Sequence, residues 1–510
     1  MLNFTPIVRP FFTRRAGAAI SCHGNLERTQ RRQLIFLLKK ARRTLQGERA
    51  DYGRILSRHD AYESYAAELP IVSYEDIRAD VMRMIGGEKD ILWPGRTLRY
   101  AQSSGTSGGR SKYVPVTDDS LRLNHYRGGF DVVAQYLRLY PDSRIFAGKS
   151  FILGGSFENS LGKLAPGVKV GDLSANLIDG INPVANLVRV PSKDIALMAD
   201  WQEKLPALVR ASVGEDITNI SGVPSWFMTV LREVMKSAGA SSIHDVWPNL
   251  EVFFHGGISF DPYRSQYAGF TDPARMHYLE TYNASEGFFA VQARHEPGRM
   301  MLLIDEGIFY EFIPVEQVDD PDPEVLPAWK VEPGKTYAMV ISACNGLWRY
   351  AIGDTVKIES VKPVLTISIA GRTKCYINAF GEELMVYNAE AAFSEACRRT
   401  GASAENYTAG PVYAEGGQRG HHRWLIEWNT PPQSSEEFAD ILDAELCRVN
   451  SDYNAKRSHN IFLDRLSVVD ASPGLFDRWL ASTGKLGGQR KVPRLSNDPT
   501  QIEKMLKYNN

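Results

Sequence analysis

The chain has 510 residues, 43% apolar and 10% aromatic, and its 59 Lys and Arg against 60 Asp and Glu leave a net charge of −1. Such a composition supports large cores in roughly two to four domains and excludes a disordered or fibrous protein. The even charge balance argues against a dedicated nucleic-acid binder, which carries a basic excess.

The five cysteines, Cys22, Cys344, Cys375, Cys397 and Cys447, form no Cys-x-x-Cys pair. That pattern fits a reducing compartment better than a zinc site. No run reaches the ~18 apolar residues of a membrane helix. The short N-terminal apolar run is broken by arginines, unlike a secretory signal. A cytoplasmic protein without membrane insertion is expected.

In chain order, Leu34, Ile35, Leu37, Leu38, Ala41 and Leu45 recur at helical spacing within residues 25–46, on a helix otherwise rich in Arg, Lys and Gln. Short apolar runs at 150–154, 250–254, 276–282, 301–304 and 308–315 predict strands, most of them flanked by Gly, Pro, Asn or Asp. Helical stretches are expected at 193–205 and 223–237 between them, which makes an α/β core the natural reading. Strand-dense segments at 301–315 and 337–360 suggest an antiparallel or barrel-like addition. After residue 370 the pattern becomes helix (389–400), strand (412–415), strand (424–428), helix (435–449) and strand (461–469). The expectation is a large α/β domain with mixed sheets over 1–370 and a small mobile α+β lid over 371–510, hinged at about 371–376.

Ser103 to Lys112, SSGTSGGRSK, is the most informative segment. Its unobstructed backbone N–H groups, hydroxyls and terminal cations are what cradle a polyphosphate. It is not a Walker A loop, and Gly148-Lys149-Ser150 lacks that loop's first glycine. No nucleophile elbow accompanies His255-Gly256-Gly257, and no second His follows His295-Glu296 at metalloprotease spacing. Tyr282-Asn283-Ala284-Ser285-Glu286-Gly287 places an aromatic ring, a hydroxyl and a carboxylate at a strand end, where open α/β sheets bind ligands. The ring could stack on a base, and Glu286 could hold Mg²⁺. In Trp348-Arg349-Tyr350-Ala351-Ile352-Gly353-Asp354, the aspartate after a glycine turn is placed to accept ribose hydroxyls.

The order and spacing of these segments resemble the adenylate-forming enzymes, specifically the auxin-conjugating family of acyl-acid amido synthetases and its bacterial members. The resemblance runs from QRRQLIFLLKKARRT through SSGTSGGRSKYVP, LEVFFHGGISF, YNASEGFFA, GLWRYAIGDTV and AGRTKCYINAFGEEL to QRKVPR. It implies a phosphate loop of Ser103, Ser104, Gly105, Thr106 and Ser107 with Lys112 nearby. It further implies an adenine-side turn at Gly256 and Gly257, Tyr282 against adenine ahead of Asn283 and Ala284, Ser285 on the α-phosphate and Glu286 on Mg²⁺. Asp354 would grip the ribose with Arg372 approaching, and Lys374 falls at the hinge. Two departures stand out: Ala284 replaces a serine and Ala351 an arginine of the plant pattern. Lys491 in Gln-Arg-Lys-Val-Pro-Arg matches the family's terminal lysine, while Lys485 in Thr-Gly-Lys matches the broader superfamily; Lys491 is preferred.

The implied reaction uses ATP and Mg²⁺ to convert a carboxylic acid to an acyl adenylate, then passes the acyl group to an amino acid. Transfer to coenzyme A or a carrier thiol, and a nucleotide-binding regulator without turnover, are the alternatives. The oligomeric state is not legible.

Overall fold

The computed structural model describes residues 3–509 except 104–110, 160, 163, 258–259, 319, 373–375, 414–418, 459–462 and 483–491. At 225, 261, 262, 265, 372, 387, 480 and 481 it describes the backbone alone. Contacts group the chain into two compact units. One is built from Met1–Ser103, Lys112–Gly257 and Arg264–Thr373, the other chiefly from Lys374–Asn510.

The strands of the larger unit are β1 (Arg99–Ser103), β2 (Lys112–Pro115), β3 (Lys149–Ile152), β4 (Lys169–Gly171), β5 (Arg189–Val190), β6 (Ile217–Gly222), β7 (Val252–His255) and β8 (His277–Ala284). They continue with β9 (Gly287–Gln292), β10 (Met300–Leu302), β11 (Ile308–Pro314), β12 (Leu326–Pro327), β13 (Thr336–Ala343), β14 (Tyr350–Ser360) and β15 (Thr366–Arg372). Twelve of them form one sheet in the order β12-β11-β13-β14-β15-β10-β9-β8-β7-β6-β3-β5, and β2-β1-β4 form a second.

The large sheet changes character at β8. From β5 to β8 every neighbouring pair is parallel. Helices Pro224–Ala238 and Asp261–Ala268 make the crossovers that parallel pairing requires. From β8 onward the pairs are antiparallel, because a two-residue turn, Ser285-Glu286, joins β8 directly to β9. All four residues of β7 are buried, as expected of a parallel strand covered on both faces.

Helix Leu26–Ala41 buries Leu34, Leu37, Leu38 and Ala41 in a cluster with Tyr52, Phe309 and Trp348. Each such leucine contributes about 1.5–3 kcal/mol relative to exposure. Its buried Gln30 donates Nε2 to Ile304 O at 2.8 Å and Ile308 O at 3.0 Å, and accepts from Tyr310 N at 2.8 Å. The apolar face of this basic helix is therefore core.

In the larger unit two segments differ from expectation. Residues 193–205 form two helices, Lys193–Ala196 and Trp201–Ser212, because Asp200 caps the second by accepting from Gln202 N. Thr5–Cys22 forms a helix, begun with proline in its first turn, which apolar periodicity did not signal.

The second unit has its own core around Phe393, Trp424, Ile426, Phe438, Leu442 and Leu446. Helix Val386–Thr400 leads into antiparallel strands Ser403–Val412 and His421–Thr430, helices Ser435–Val449 and Ser451–Arg457, and strand Ser467–Ala471 parallel to the second. The first strand ends at Val412 instead of starting there, since Tyr407 and Ala409 bury in that core. Among the described residues no helix is long and apolar enough to cross a membrane.

Candidate active site

The carboxyl ends of β6, β7 and β8 lie side by side: Gly222 pairs with His255, and His255 with Glu280. Gly256 and Gly257 follow β7 at this edge. A Cβ added at Gly256 would stand 2.4 Å from Thr281 O, so only glycine lets the chain leave β7 against β8. Gly257 has φ +84°, a conformation glycine adopts freely. Thr281 Oγ1 donates to His255 O at 3.0 Å and fixes this exit. Burial, with Arg264 nearby, pushes His255 down to about 3 and leaves it neutral beside the glycines.

Tyr282 is 5% exposed and its ring centroid lies 4.9 Å from that of Phe289. Its hydroxyl donates to Asp354 Oδ2 at 2.6 Å, bringing a residue of β14 to the end of β8. Asp354 follows Gly353, whose φ is +90°, and stands opposite Arg372 in the β14–β15 ladder. The turn beyond β8 carries half-buried Ser285 and Glu286, which is 8% exposed.

Ser103 and Lys112 are paired residues of the β1–β2 hairpin, so the Ser/Gly segment is the connection between two antiparallel strands. Lys112 Nζ lies 3.5 Å from the hydroxyl of Tyr350, the first residue of the strand that carries Asp354. The structure thus brings the two glycines, Tyr282–Glu286 and Asp354 to one edge of the larger unit, and sets Lys112 against the strand that carries Asp354. Ser104, Gly105, Thr106, Ser107, Lys374, Lys485 and Lys491 lie outside the described residues, as does the Arg372 side chain.

Three buried side chains support the strands that form this edge, and of these Arg349 alone lies inside a motif segment, Trp348–Asp354. Asn345 donates to Glu286 O at 3.0 Å. Asn124 donates to Phe288 O at 2.9 Å and accepts from Phe288 N at 2.7 Å. Arg349, at φ +42°, sets its Nε 3.1 Å from Glu311 Oε2 and donates to Ala66 O at 2.8 Å. Asn345-Gly346 also carries a local signal, as a hairpin-turn dipeptide, whereas Asn124 carries none.

Residues 21–184 and 168–276 match the GH3 family N-terminal domain, 301–372 the GH3 family central domain and 387–500 the GH3 family C-terminal domain. The chain belongs to the GH3 family. Among its relatives, indole-3-acetic acid-amido synthetase GH3.8 of Oryza sativa subsp. indica is 22% identical, over 86% of this chain and 84% of that protein. Indole-3-acetic acid-amido synthetase GH3.4 of Arabidopsis thaliana is 21% identical, over 85% and 83%. The solved AtGH3.15 acyl acid amido synthetase in complex with 2,4-DB superposes with a TM-score of 0.60 at 17% identity, covering 98% of this chain and 96% of that one. A 2-hydroxyisobutyryl-CoA ligase in its thioesterification state, with 2-HIB-AMP and CoA, gives 0.52 at 12% identity over 94% and 91%. Both likenesses establish the adenylate-forming fold. As a GH3 member the protein is an AMP-forming ligase: it activates a carboxylic acid as its acyl adenylate and transfers the acyl group to an amino acid, giving an N-acyl amino acid and AMP.

The residues present suit ATP and Mg²⁺. Glycine at 256 and 257 keeps the exit of β7 free of side chains beside Thr281 of β8. Glu286 carries a hard carboxylate on the turn beyond β8. Magnesium is ordinarily bound in this way, through one or two carboxylates together with substrate phosphates and water.

Proposed function

We propose that the edge formed by Gly256-Gly257, Tyr282–Glu286 and Asp354 is the adenylation site, and that the Tyr282–Asp354 hydrogen bond is the observation that carries this reading. In it, Tyr282 packs on adenine and Asp354 accepts the ribose hydroxyls, with Arg372 beside them. Ser103–Ser107 and Lys112 receive the phosphates, Ser285 donates to the α-phosphate and Glu286 holds Mg²⁺. The backbone of Asn283 and Ala284 borders the nucleotide. Residues 1–370 bind ATP and the acid, and 371–510 act as the lid, turning about 371–376.

The acid's carboxylate oxygen attacks the α-phosphorus as the bond to pyrophosphate breaks. Bound Mg²⁺ would supply charge neutralisation at the phosphates. Lys491, on the lid, stabilises the charge on the departing pyrophosphate. An amino acid's amine then attacks the acyl carbon, AMP leaves, and the amine loses its proton.

The relatives' names favour an aromatic or indole acid as substrate. We read the chain as a bacterial member of the family, departing from the plant pattern at Ala284 and Ala351, and the sparse cysteines fit a cytoplasmic setting.

Acid-dependent ATP–pyrophosphate exchange across aromatic, aliphatic and hydroxy acids tests the site. Exchange that is present in the native protein and lost in Glu286→Gln and Asp354→Ala supports it. Undiminished exchange in both variants rejects it. With the acid known, product formation with amino acids and not with coenzyme A excludes thiol transfer.

A further inference from the structure

We propose that Asn124 and Asn345 are positioning residues that hold the Ser285-Glu286 turn in register for metal and phosphate binding. This inference rests on the role proposed above for Glu286. A two-residue turn between strands is fixed at its ends by the ladder, but its apex needs other partners. Here buried Asn345 supplies one at Glu286 O, and buried Asn124, from a distant part of the chain, fixes Phe288, the second residue of β9.

Asn345 lies between β13 and β14. Its Oδ1 accepts from Leu347 N at 3.3 Å, and its Nδ2 donates to Glu286 O at 3.0 Å. The first bond decides which way the amide faces; the second places its donor on the turn. Asn124 lies in a π-helical turn, Leu121–His125, a form often kept where a side chain must be aimed. Its Oδ1 accepts from Phe288 N at 2.7 Å while its Nδ2 donates to Phe288 O at 2.9 Å and Glu306 O at 3.1 Å. One side chain thus occupies both backbone groups of Phe288.

The support behind Asn124 is itself anchored. Arg15 reaches Glu306 Oε1 at 2.8 Å and Asp131 Oδ2 at 2.7 Å, so the 305–306 backbone is tied to two helices. Both asparagines grip backbone atoms. They aim the Glu286 carboxylate and the Ser285 hydroxyl without being the groups those side chains present to a ligand. Partners that orient a metal-binding carboxylate from behind typically matter about 10- to 100-fold in metal affinity.

The test uses the full chain and Mn²⁺ with ATP, without acid, so that binding is read by electron paramagnetic resonance and not by turnover. Asn345→Asp turns a donor into a carboxylate oxygen facing Glu286 O. Asn124→Asp keeps the acceptor for Phe288 N and loses both donors. Each is expected to raise the Kd of the Mn²⁺–ATP complex about tenfold while the acid's KM in exchange stays unchanged. Adding Glu286→Gln to either is expected to cost less than the product of the single effects. Unfolding is followed on the same samples. Native Mn²⁺–ATP affinity in both variants, or effects that multiply with Glu286→Gln, would overturn the positioning role. Should Glu286→Gln alone leave Mn²⁺–ATP affinity unchanged, the metal assignment fails first and this inference with it.

Discussion

The Tyr282 hydroxyl donates to Asp354 Oδ2 at 2.6 Å, so the ring proposed to face adenine and the carboxylate proposed to face ribose are held as one unit. A hydrogen bond to a charged group contributes about 1.5–3 kcal/mol. Tyr282→Phe keeps the ring and removes the bond, and is expected to raise the KM for ATP about tenfold with the acid's KM unchanged. Steady-state exchange kinetics check this; a native KM for ATP in Tyr282→Phe would show the bond to be idle.

The buried pair of Arg349 with Glu311, 3.1 Å apart, fastens the turn before β14 to the N-terminal helices through Ala66 O. Arg349→Met leaves Glu311 buried and uncompensated, at a cost of about 3–5 kcal/mol. Adding Glu311→Leu is expected to restore most of that. Urea unfolding of the single and double variants measures it, and a double variant no better than the single would refute the pairing argument.

Stability is expected to fall as the medium is acidified. Burial holds His23 and His125 at about 4 and His255 at about 3, against an unfolded value of 6.5. Below pH about 6.5 the unfolded chain takes up protons that the folded chain refuses, at up to about 1.4 kcal/mol per pH unit for each group. That contribution is complete above the unfolded value and is lost progressively as pH falls towards the folded one. Glu306 works in the opposite sense, since burial and Asp131 raise its pKa. His125→Gln isolates the effect: its unfolding midpoint should decline less steeply between about pH 6.5 and 4.5 than the native protein's, by about one proton. Parallel curves would count against a neutral buried His125.

Lys491→Ala is expected to abolish pyrophosphate exchange at least about a hundredfold while transfer from a supplied acyl adenylate to the amine persists, as removal of a group acting on one developing charge predicts. Lys485→Ala should leave both steps near native. The reverse pattern, read by exchange and by single-turnover transfer, would move the role to Lys485.

Much of this protein is local, and local patterns are legible in a sequence. Apolar runs broken by turn residues marked β3, β7, β8, β10 and β11, and their alternation with helices implied an α/β core. The phosphate-loop composition, the glycines at 256, 257 and 353 and the motif order identified the family and its chemistry before any geometry was known. Tertiary structure decided how those pieces are held. Tyr282 meets Asp354 across 72 residues, Asn124 meets Phe288 across 164, and Gln30 serves the Ile304 and Ile308 carbonyls from more than 270 residues away. A buried polar group must find a partner, but that requirement leaves no period in the chain and names no position. The same holds for Arg349, whose buried guanidinium makes sense only beside Glu311.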